Sequence, residues 1–261
     1  MVSIMQNFNP QQIIDEIISF IKQTYIAQKK EIALIAVSGG IDSALSLTLV
    51  TRALSAKNII PVMLPCGDQD LSDGEVMLKF NKIPQENWQV KNIKQVVDHA
   101  ARIAGADVSD RVRLGNLMAR TRMMIIYDLA KKYDALVCGT ENKSEKYLGY
   151  FTRFGDEASD VEPIVGLYKT QVRQLGEFLD LPDQIRIKPP TAGLWEGQTD
   201  EQELGFTYEV ADKVLMQIVD EKKSANEIFV NGVEPELVKK VLERVKKMKF
   251  KQQVPYVMGK I

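Results

Sequence analysis

The stretch that decides the fold is Ile32-Ala33-Leu34-Ile35-Ala36-Val37-Ser38-Gly39-Gly40-Ile41-Asp42-Ser43. Its first half is apolar and partly β-branched, which predicts a buried strand. Two glycines follow, and the apolar run over residues 44–50 then predicts a helix. A strand, a glycine turn and a helix together favour a bound anion, because backbone N–H groups and the positive end of the helix dipole point toward the turn.

Residues 38–43, which we call the phosphate turn, are therefore candidates for binding phosphate. Gly39 and Gly40 allow the backbone to approach an anion closely. Ser38 and Ser43 offer hydroxyl groups that can donate hydrogen bonds to phosphate oxygens. The turn has neither the Walker A pattern nor the Gly-x-Gly-x-x-Gly pattern of dinucleotide-binding turns.

Asp42 needs an explanation in this position, because a carboxylate repels phosphate. One explanation is a Mg²⁺ ion held between carboxylate and phosphate oxygens. The alternative is an aspartate that only caps the helix and has no ligand nearby. The double glycine and the two serines around Asp42 favour the phosphate site.

Composition predicts one α/β domain over residues 1–261, because 261 residues with 45% apolar content suffice for a sizeable core. The net charge of −1 argues against a dedicated nucleic-acid binder. No apolar run approaches the roughly 18 residues of a membrane span, and we expect no membrane partner. Two cysteines and no recognisable export signal predict a cytoplasmic location. The single histidine, His99, excludes a His-rich zinc site.

Apolar runs predict four strands, at residues 32–37, 59–65, 88–93 and 135–140. Helical patterns lie between and around these strands. One begins at residue 10, one begins near residue 75, and one follows the third strand and ends near residue 104. Two more cover residues 114–132 and 169–179. This alternation predicts a Rossmann-like parallel sheet with helices on both faces. The segments that follow the strands should face one cleft at the carboxyl ends of the sheet.

A second segment, residues 139–156, reads Gly-Thr-Glu-Asn-Lys-Ser-Glu-Lys-Tyr-Leu-Gly-Tyr-Phe-Thr-Arg-Phe-Gly-Asp. It resembles the pattern Gly-Thr…Glu…Gly-Tyr/Phe-Phe-Thr-Lys-Phe-Gly-Asp of the NAD synthetases. Residues 115–123 and 188–201 agree with that family, and the resemblance covers residues 33–208, with a weaker similarity near Lys251. The phosphate turn resembles the pyrophosphate loop of the wider N-type ATP pyrophosphatase superfamily, which has an adenine nucleotide α-hydrolase-like fold.

The resemblance implies an ammonia-dependent NAD synthetase, a ligase that forms a C–N bond. In this family the nicotinate carboxylate of deamido-NAD attacks the α-phosphorus of ATP, which gives an adenylate and pyrophosphate. Ammonia then attacks the activated carbonyl, and NAD and AMP are released. The expected ligands are therefore ATP as co-substrate, deamido-NAD, ammonia and Mg²⁺. The resemblance also implies a homodimer, and we expect no glutaminase domain within these 261 residues.

The resemblance assigns the ATP site and the metal site residue by residue. Glu145 matches a second magnesium ligand that acts with Asp42. Without the motif, Glu145 would be read as a solvated glutamate paired with a neighbouring lysine. The residues implied to bind ATP, besides the phosphate turn with Ser38, Gly39, Gly40, Ile41, Asp42 and Ser43, are Thr140, Lys169 and Thr191.

The resemblance also assigns a deamido-NAD site. Its implied residues are Asn116, Arg120, Arg153, Asp160, Phe250 and Lys251. Arg153 replaces the usual lysine of the family, and Phe250 stands where the family often has histidine. Asp156 lies in the same acidic loop as Asp160, and we hypothesise that this loop binds ammonium and helps it to lose a proton, so that Asp156→Asn and Asp160→Asn should both raise the apparent KM for ammonium. The predicted catalytic residues are then Asp42, Glu145, Lys169 and Asp156.

Three alternatives remain open at the level of sequence. The first is amidation of nicotinate mononucleotide rather than the dinucleotide. The second is another adenylating ligase of the superfamily, such as a tRNA-thiolating or GMP-forming enzyme. The third is a non-catalytic protein of the same fold that only binds adenine nucleotide, which would bind ATP without releasing pyrophosphate.

Overall fold

A parallel sheet forms the centre of the fold. The computed structural model describes residues 8–107, 109–195, 197–253, 255–256 and 258. Within these residues the strands are β1 (Ala33–Ala36), β2 (Ile59–Met63), β3 (Gln89–Val90) and β4 (Leu136–Cys138). All pairs are parallel and the strand order is β3-β2-β1-β4, with Ile35 of β1 opposite both Pro61 and Cys138. The predicted parallel sheet is confirmed, although each strand is shorter than its apolar run.

Eleven α-helices surround the sheet in the described residues. They are α1 (Pro10–Ala27), α2 (Ile41–Leu54), α3 (Ser72–Phe80), α4 (Lys94–Ile103), α5 (Arg111–Tyr133), α6 (Lys143–Leu148), α7 (Lys169–Phe178), α8 (Asp183–Arg186), α9 (Asp200–Leu204), α10 (Tyr208–Leu215) and α11 (Pro235–Met248).

The helices cover both faces of the sheet, as predicted. Leu34 of β1 packs into a cluster with Val97 of α4 and Leu129 of α5. The next residue, Ile35, points to the opposite face and joins a cluster with α1, α2 and α7. This alternation follows from the two-residue period of a strand and explains why the strand sequences are apolar throughout.

A third cluster lies beyond the sheet and was not predicted. It joins Leu148 of α6, Tyr208 and Val214 of α10, and Val241 of α11. The helices and strands predicted from the sequence ended near residue 179. In the structure Thr207 caps α10 through its hydroxyl, and the apolar residues of α10 follow a helical spacing, at Tyr208, Ala211, Val214 and Leu215. The spacing and the cap are ordinary signals that predict a helix here.

Two boundaries differ from the prediction for local reasons. Helix α3 begins at Ser72 rather than near residue 75, because Asp70 accepts hydrogen bonds from the backbone N–H and hydroxyl of Ser72 at 2.9 and 2.7 Å and turns the chain early. The expected strand or loop over 160–166 contributes a single parallel bridge, from Val161 to Cys138 at the edge of β4.

The segments after β1, β2 and β4 meet at the carboxyl end of the sheet. The backbone of Gly39 packs against Asp73, in the segment that follows β2. Asn142, after β4, donates a hydrogen bond of 2.9 Å to Asp42 after β1. These segments therefore contact one another at this end of the sheet, and the cleft that they were expected to face stays a prediction. No described helix combines the length and apolar character needed to cross a membrane.

Candidate active site

The phosphate turn is held by its own serines. The hydroxyls of Ser38 and Ser43 lie 3.0 Å apart, and Ser43 also donates to the carbonyl of Gly40 at 3.0 Å. Gly39 has a φ of +78°, which favours glycine. The Ser43 hydroxyl thus stabilises the turn internally, and its contact with phosphate stays a prediction.

The amino end of α2 faces the space above the turn. Gly40 occupies the cap position, and no side chain caps the helix there. The first N–H groups of a helix need acceptors, and an anion can supply them. The predicted anion-binding geometry of strand, turn and helix is therefore present.

Lys169 joins Asp42 and Glu145 into one charged centre. Its Nζ lies 2.5 Å from Asp42 Oδ2 and 3.0 Å from Glu145 Oε1, and its side chain is 3% exposed. The three residues come from the starts of α2, α6 and α7. The structure therefore brings together two predicted metal ligands and a predicted phosphate-binding cation from three separate parts of the sequence.

The charge state of Lys169 follows from its two partners. Burial alone would lower its pKa, but the charges of Asp42 and Glu145 outweigh burial and raise the pKa above its usual value. Burial raises the pKa of Glu145, and the charge of Asp42 adds to this rise while Lys169 opposes it. Glu145 therefore depends on a nearby cation to stay ionised.

Asn142 orders this centre and was not predicted. Its side-chain amide donates to Asp42 Oδ1, and its carbonyl oxygen accepts from the backbone N–H of Glu145 at 2.9 Å. Glu145 in turn accepts from the backbone of Asn142, which completes a capping box at the start of α6. The pattern Asn-x-x-Glu before a helix is a sequence signal that could have identified this role.

A second group of predicted residues gathers beside α5. Asn116 accepts a hydrogen bond of 2.8 Å from the hydroxyl of Thr152, and Arg120 donates one of 3.2 Å to the backbone carbonyl of Arg153. The Arg153 guanidinium lies 5.4 Å from the ring centre of Phe250. Asn116 and Arg120 are four residues apart and share a face of α5, as expected.

Lys251 and Asp156 belong to the same group. Lys251 donates to the carbonyls of Gly149 and Phe151 at 2.7 and 2.5 Å. Asp156 accepts from the backbone N–H of Thr152 at 2.9 Å. Asp156 is exposed at the surface, and crowding of its carboxylate by the surrounding protein raises its pKa above the usual value.

Comparison with known proteins agrees with this site. The chain matches the family described as NAD synthase over residues 13–255. It is 35% identical to the ammonia-dependent NAD synthetase of Fusobacterium nucleatum over 254 residues, which cover 96% of each protein. The chain belongs to the NAD synthase family. The identification drawn from the motifs is confirmed.

Solved structures of NAD synthase relatives share the fold. A structure described as NMN synthetase from Francisella tularensis has a TM-score of 0.82 and 29% identity, and the match covers 97% of this chain and 99% of that one. An ammonia-dependent NAD synthetase from Campylobacter jejuni has a TM-score of 0.79 and 26% identity, with coverage of 97% and 100%. The predicted α/β fold class is confirmed.

Three predicted residues of the NAD synthase site, Asp160, Thr140 and Thr191, make no side-chain hydrogen bond to either group in the described part of the chain. The Asp160 carboxylate accepts from the backbone N–H of Val137 at 2.8 Å, at the edge of β4 that also pairs with Val161. Burial and the charge of Asp160 raise the pKa of Tyr127 to about 12. Tyr127 lies roughly 16 Å along α5 from Asn116, at about 1.5 Å per residue. Asp160 therefore stabilises a strand edge here, and its role toward deamido-NAD stays a prediction.

The predicted ATP-binding roles of Thr140 and Thr191 also stay predictions. Thr140 lies two residues beyond β4 and is partly buried. Thr191 is exposed, and its hydroxyl accepts from the backbone N–H of Gly193 at 3.0 Å. Gly193 in turn accepts a hydrogen bond of 2.8 Å from Gln69, so the segments after β2 and around Thr191 contact each other.

Two buried carboxylates behind β4, Glu141 and Glu162, were also missed. In the described part of the chain, no hydrogen-bond partner reaches Glu141 Oε1 or Glu162 Oε2. Burial raises the pKa of Glu141 to about 8 and that of Glu162 to about 7, and for Glu141 the charge of Glu162 adds to the rise. These residues therefore hold protons in the folded protein at pH values where exposed glutamates are ionised.

This pair predicts a stability that falls as the pH rises. The folded pKa values exceed the ordinary value of 4.5, so the folded state binds more protons than the unfolded state above that pH. The contribution of the two protonated glutamates to the free energy of unfolding is fully present below the ordinary glutamate pKa of 4.5, and it is lost as the pH rises toward 7 and 8. We expect Glu162→Gln to reduce the loss of unfolding free energy between about pH 5 and pH 8 by on the order of 2 kcal/mol.

Urea unfolding at a series of pH values measures this effect. Glu86→Gln, at an exposed glutamate in the turn before β3, serves as the matched control and should keep the slope of the original chain. An unchanged slope in Glu162→Gln would show that the pair does not hold the protons assigned to it.

Proposed function

We propose that the protein catalyses the ATP-dependent amidation of deamido-NAD to NAD with ammonia, through an adenylate intermediate. The observation that carries the proposal is the buried centre of Asp42, Lys169 and Glu145 beside the phosphate turn. This arrangement offers N–H donors and a cation to phosphate and two carboxylates to a metal ion. Curated relatives at 35–38% identity carry the name ammonia-dependent NAD synthetase, which supports the proposal.

The residues of the chain act mainly by positioning and by neutralising charge. The turn and the amino end of α2 hold the departing pyrophosphate and leave the α-phosphorus open to the incoming nicotinate carboxylate. Lys169 donates to the phosphate oxygens as negative charge moves onto the leaving group. Its raised pKa keeps it an ammonium ion through the reaction. A covalent enzyme intermediate is not required.

The donors present fit Mg²⁺. Asp42 and Glu145 lie next to each other, because each places one carboxylate oxygen within 3.0 Å of the Lys169 Nζ, and a Mg²⁺ ion between them would take ligands that Lys169 binds in this structure. The described residues contain no group of three or more His, Cys, Asp or Glu that could hold a metal ion. Mg²⁺ is commonly bound by one or two carboxylates with phosphate oxygens and water. When bound, Mg²⁺ would neutralise phosphate charge, and Asp42 and Glu145 would hold it.

The group beside α5 suits the dinucleotide. Arg120, Arg153 and Lys251 give it an excess of positive charge over Asp156, which favours a substrate with phosphate groups. We assign Asn116, Arg120, Arg153, Phe250 and Lys251 to deamido-NAD. The ring of Phe250 and the guanidinium of Arg153 provide a flat surface on which a base or a nicotinate ring can stack.

Asp156 is assigned to the amidation step. Its pKa is raised, so its carboxylate is a better proton acceptor than an ordinary aspartate. It binds ammonium and accepts a proton from it, which leaves ammonia as the nucleophile. We expect Asp156→Asn to raise the apparent KM for ammonium at least about tenfold while the KM for ATP stays within about twofold.

Steady-state rates at varied ammonium concentration test Asp156, with Asp128→Asn on α5 as the control at a site outside the proposed machinery. The effect should shrink as the pH rises, because more free ammonia is then present. Normal ammonium saturation in Asp156→Asn would overturn the assignment.

We further infer a homodimer that works in the cytoplasm. Val112 and Met124 are 65% and 53% exposed on α5, the helix that also carries Arg120. Apolar exposure of this kind favours contact with another protein surface. Both cysteines, Cys66 and Cys138, are free thiols, which fits a reducing compartment. Sedimentation velocity of the purified protein tests the dimer.

Pyrophosphate release tests the function itself. The protein is given ATP, Mg²⁺ and ammonium with deamido-NAD, and the product is checked as NAD. Release that requires deamido-NAD supports the proposal. Release without it, or none at all, contradicts it and favours another ligase or a protein that only binds nucleotide.

One comparison favours a second candidate substrate. The Francisella tularensis protein described as NMN synthetase has the same fold at a TM-score of 0.82. Nicotinate mononucleotide should therefore be assayed beside deamido-NAD under the same conditions. A higher kcat/KM for the mononucleotide would reassign the substrate without changing the proposed chemistry.

A further inference from the structure

Asp212 is a fully buried carboxylate that belongs to neither group of proposed site residues. It lies on α10 with 0% exposure, and its carboxylate is engaged by two neighbouring elements. Oδ1 accepts from the hydroxyl of Ser144 at 2.5 Å, and Oδ2 accepts from the backbone N–H of Thr170 at 2.9 Å. Both partners lie next to residues of the proposed centre, since Ser144 precedes Glu145 and Thr170 follows Lys169.

Ser144 completes the connection between the elements. Its hydroxyl donates to Asp212 and accepts from the backbone N–H of Lys169 at 2.8 Å, and the residue is fully buried. Asp212 and Ser144 thus supply acceptors for the first two N–H groups of α7 from outside that helix. The negative charge of Asp212 also offsets the unfavourable position of Lys169 at a positive helix end.

Helix α10 also contacts the side chain of Lys169. Tyr208 lies four residues before Asp212, on the same face of α10, and the Lys169 Nζ lies 5.1 Å from the centre of its ring. One helix therefore binds the backbone of Thr170, the residue after Lys169, through Asp212 and contacts the ammonium group of Lys169 through Tyr208. A buried carboxylate is costly unless it is fully hydrogen-bonded, and these bonds all go to the elements that carry the site.

The geometry points to Asp212 as a positioning residue that sets the relative placement of Lys169 and Glu145 by holding the starts of α6 and α7 together. Phosphate binding and metal binding both need these side chains within a few tenths of an ångström of one arrangement. Removing the connection shifts the two helix starts independently. The inference rests on the proposed function for its kinetic readouts, but it is judged first on ATP binding.

The first test is the dissociation constant of ATP with Mg²⁺, measured by calorimetry on the full chain without deamido-NAD. We expect Ser144→Ala and Asp212→Asn each to weaken binding about 10- to 100-fold, as is usual for groups that orient metal or ligand contacts. Asp212→Ala should bind ATP more weakly than Asp212→Asn, because asparagine still offers one acceptor to the backbone N–H of Thr170. The double variant Ser144→Ala/Asp212→Asn should bind ATP little more weakly than either single variant, because both single changes break the same hydrogen-bonded connection.

Val214→Ala is the matched control, because it creates a cavity in the same third cluster without touching these hydrogen bonds. At a temperature where every variant is folded, Val214→Ala should bind ATP as the original chain does. Equal ATP affinity in Ser144→Ala, Asp212→Asn and Val214→Ala would overturn the inference and leave Asp212 a residue of stability alone.

Two kinetic measurements, the Mg²⁺ dependence and the KM for deamido-NAD, distinguish this inference from the proposed function. In Ser144→Ala and Asp212→Asn the Mg²⁺ concentration for half-maximal pyrophosphate release should rise about tenfold, while the KM for deamido-NAD stays unchanged. Failure of the original chain to use deamido-NAD would contradict the proposed function but not the ATP-binding result. A changed KM for deamido-NAD with unchanged Mg²⁺ dependence would place the effect elsewhere and overturn the positioning role.

Discussion

Asp42→Ala is expected to lower the rate of pyrophosphate release at least about 1000-fold, because the proposed reaction would lose both its proposed metal ligand and much of its charge stabilisation. The change removes the carboxylate that lies 2.5 Å from the Lys169 Nζ and that accepts a hydrogen bond from Asn142. Enzymes that transfer phosphate groups depend heavily on neutralising the charge of the leaving group. The remaining carboxylate, Glu145, cannot by itself hold both Lys169 and a metal ion.

A matched control separates loss of chemistry from loss of fold. Asp98→Ala, which breaks an exposed pair with Lys94 at 2.6 Å on α4, should keep full activity. The effect of Asp42→Ala should appear in kcat/KM for ATP, and thermal unfolding should show that the variant is folded. Activity within about tenfold of the original chain would contradict the metal role of Asp42.

The sequence predicted those parts of the site and of the fold whose signals lie in short, continuous stretches or in a family motif. Residues 38–43 predicted a phosphate turn because strand, glycines and helix follow one another, and the structure has that order. Asp42, Glu145 and Lys169 were placed together by resemblance, and their side chains meet. The parallel sheet followed from the alternation of apolar runs and helical patterns, because a parallel crossover needs a helix between strands.

What stayed hidden depends on contacts between distant elements. Ser144 and Asp212 are 68 residues apart, and no periodicity links a serine in α6 to an aspartate in α10. The hydrogen bond from the backbone N–H of Val137 to Asp160 was not predicted either, and the role of Asp160 toward deamido-NAD stays a prediction. The Ser43 hydroxyl is engaged within the turn for a similar reason, because a hydroxyl near several acceptors takes the partner that the backbone brings closest.

Gly39→Ala is expected to have the largest effect on stability among the glycine variants of the turn. Gly39 has a φ of +78°, and a Cβ there would lie 2.6 Å from the Cβ of Asp73, a contact that forces the turn or α3 to move. The positive φ costs about 1 kcal/mol for alanine, and the overlap adds about 1–3 kcal/mol. We expect the free energy of unfolding to fall by about 2–4 kcal/mol and ATP binding to weaken at least about tenfold.

Two further glycines separate the causes of this loss. Gly232 has a φ of +75° and open space around its Cα, so Gly232→Ala tests the backbone alone and should cost about 1 kcal/mol. Gly40 has a φ of −82°, and a Cβ there would meet only the Ser38 hydroxyl at 3.4 Å, so Gly40→Ala should cost at most about 1 kcal/mol. Urea unfolding ranks the three variants. A Gly39→Ala loss no larger than that of Gly232→Ala would show that the turn and α3 are not in rigid contact, because the overlap would then have been relieved without measurable loss of stability.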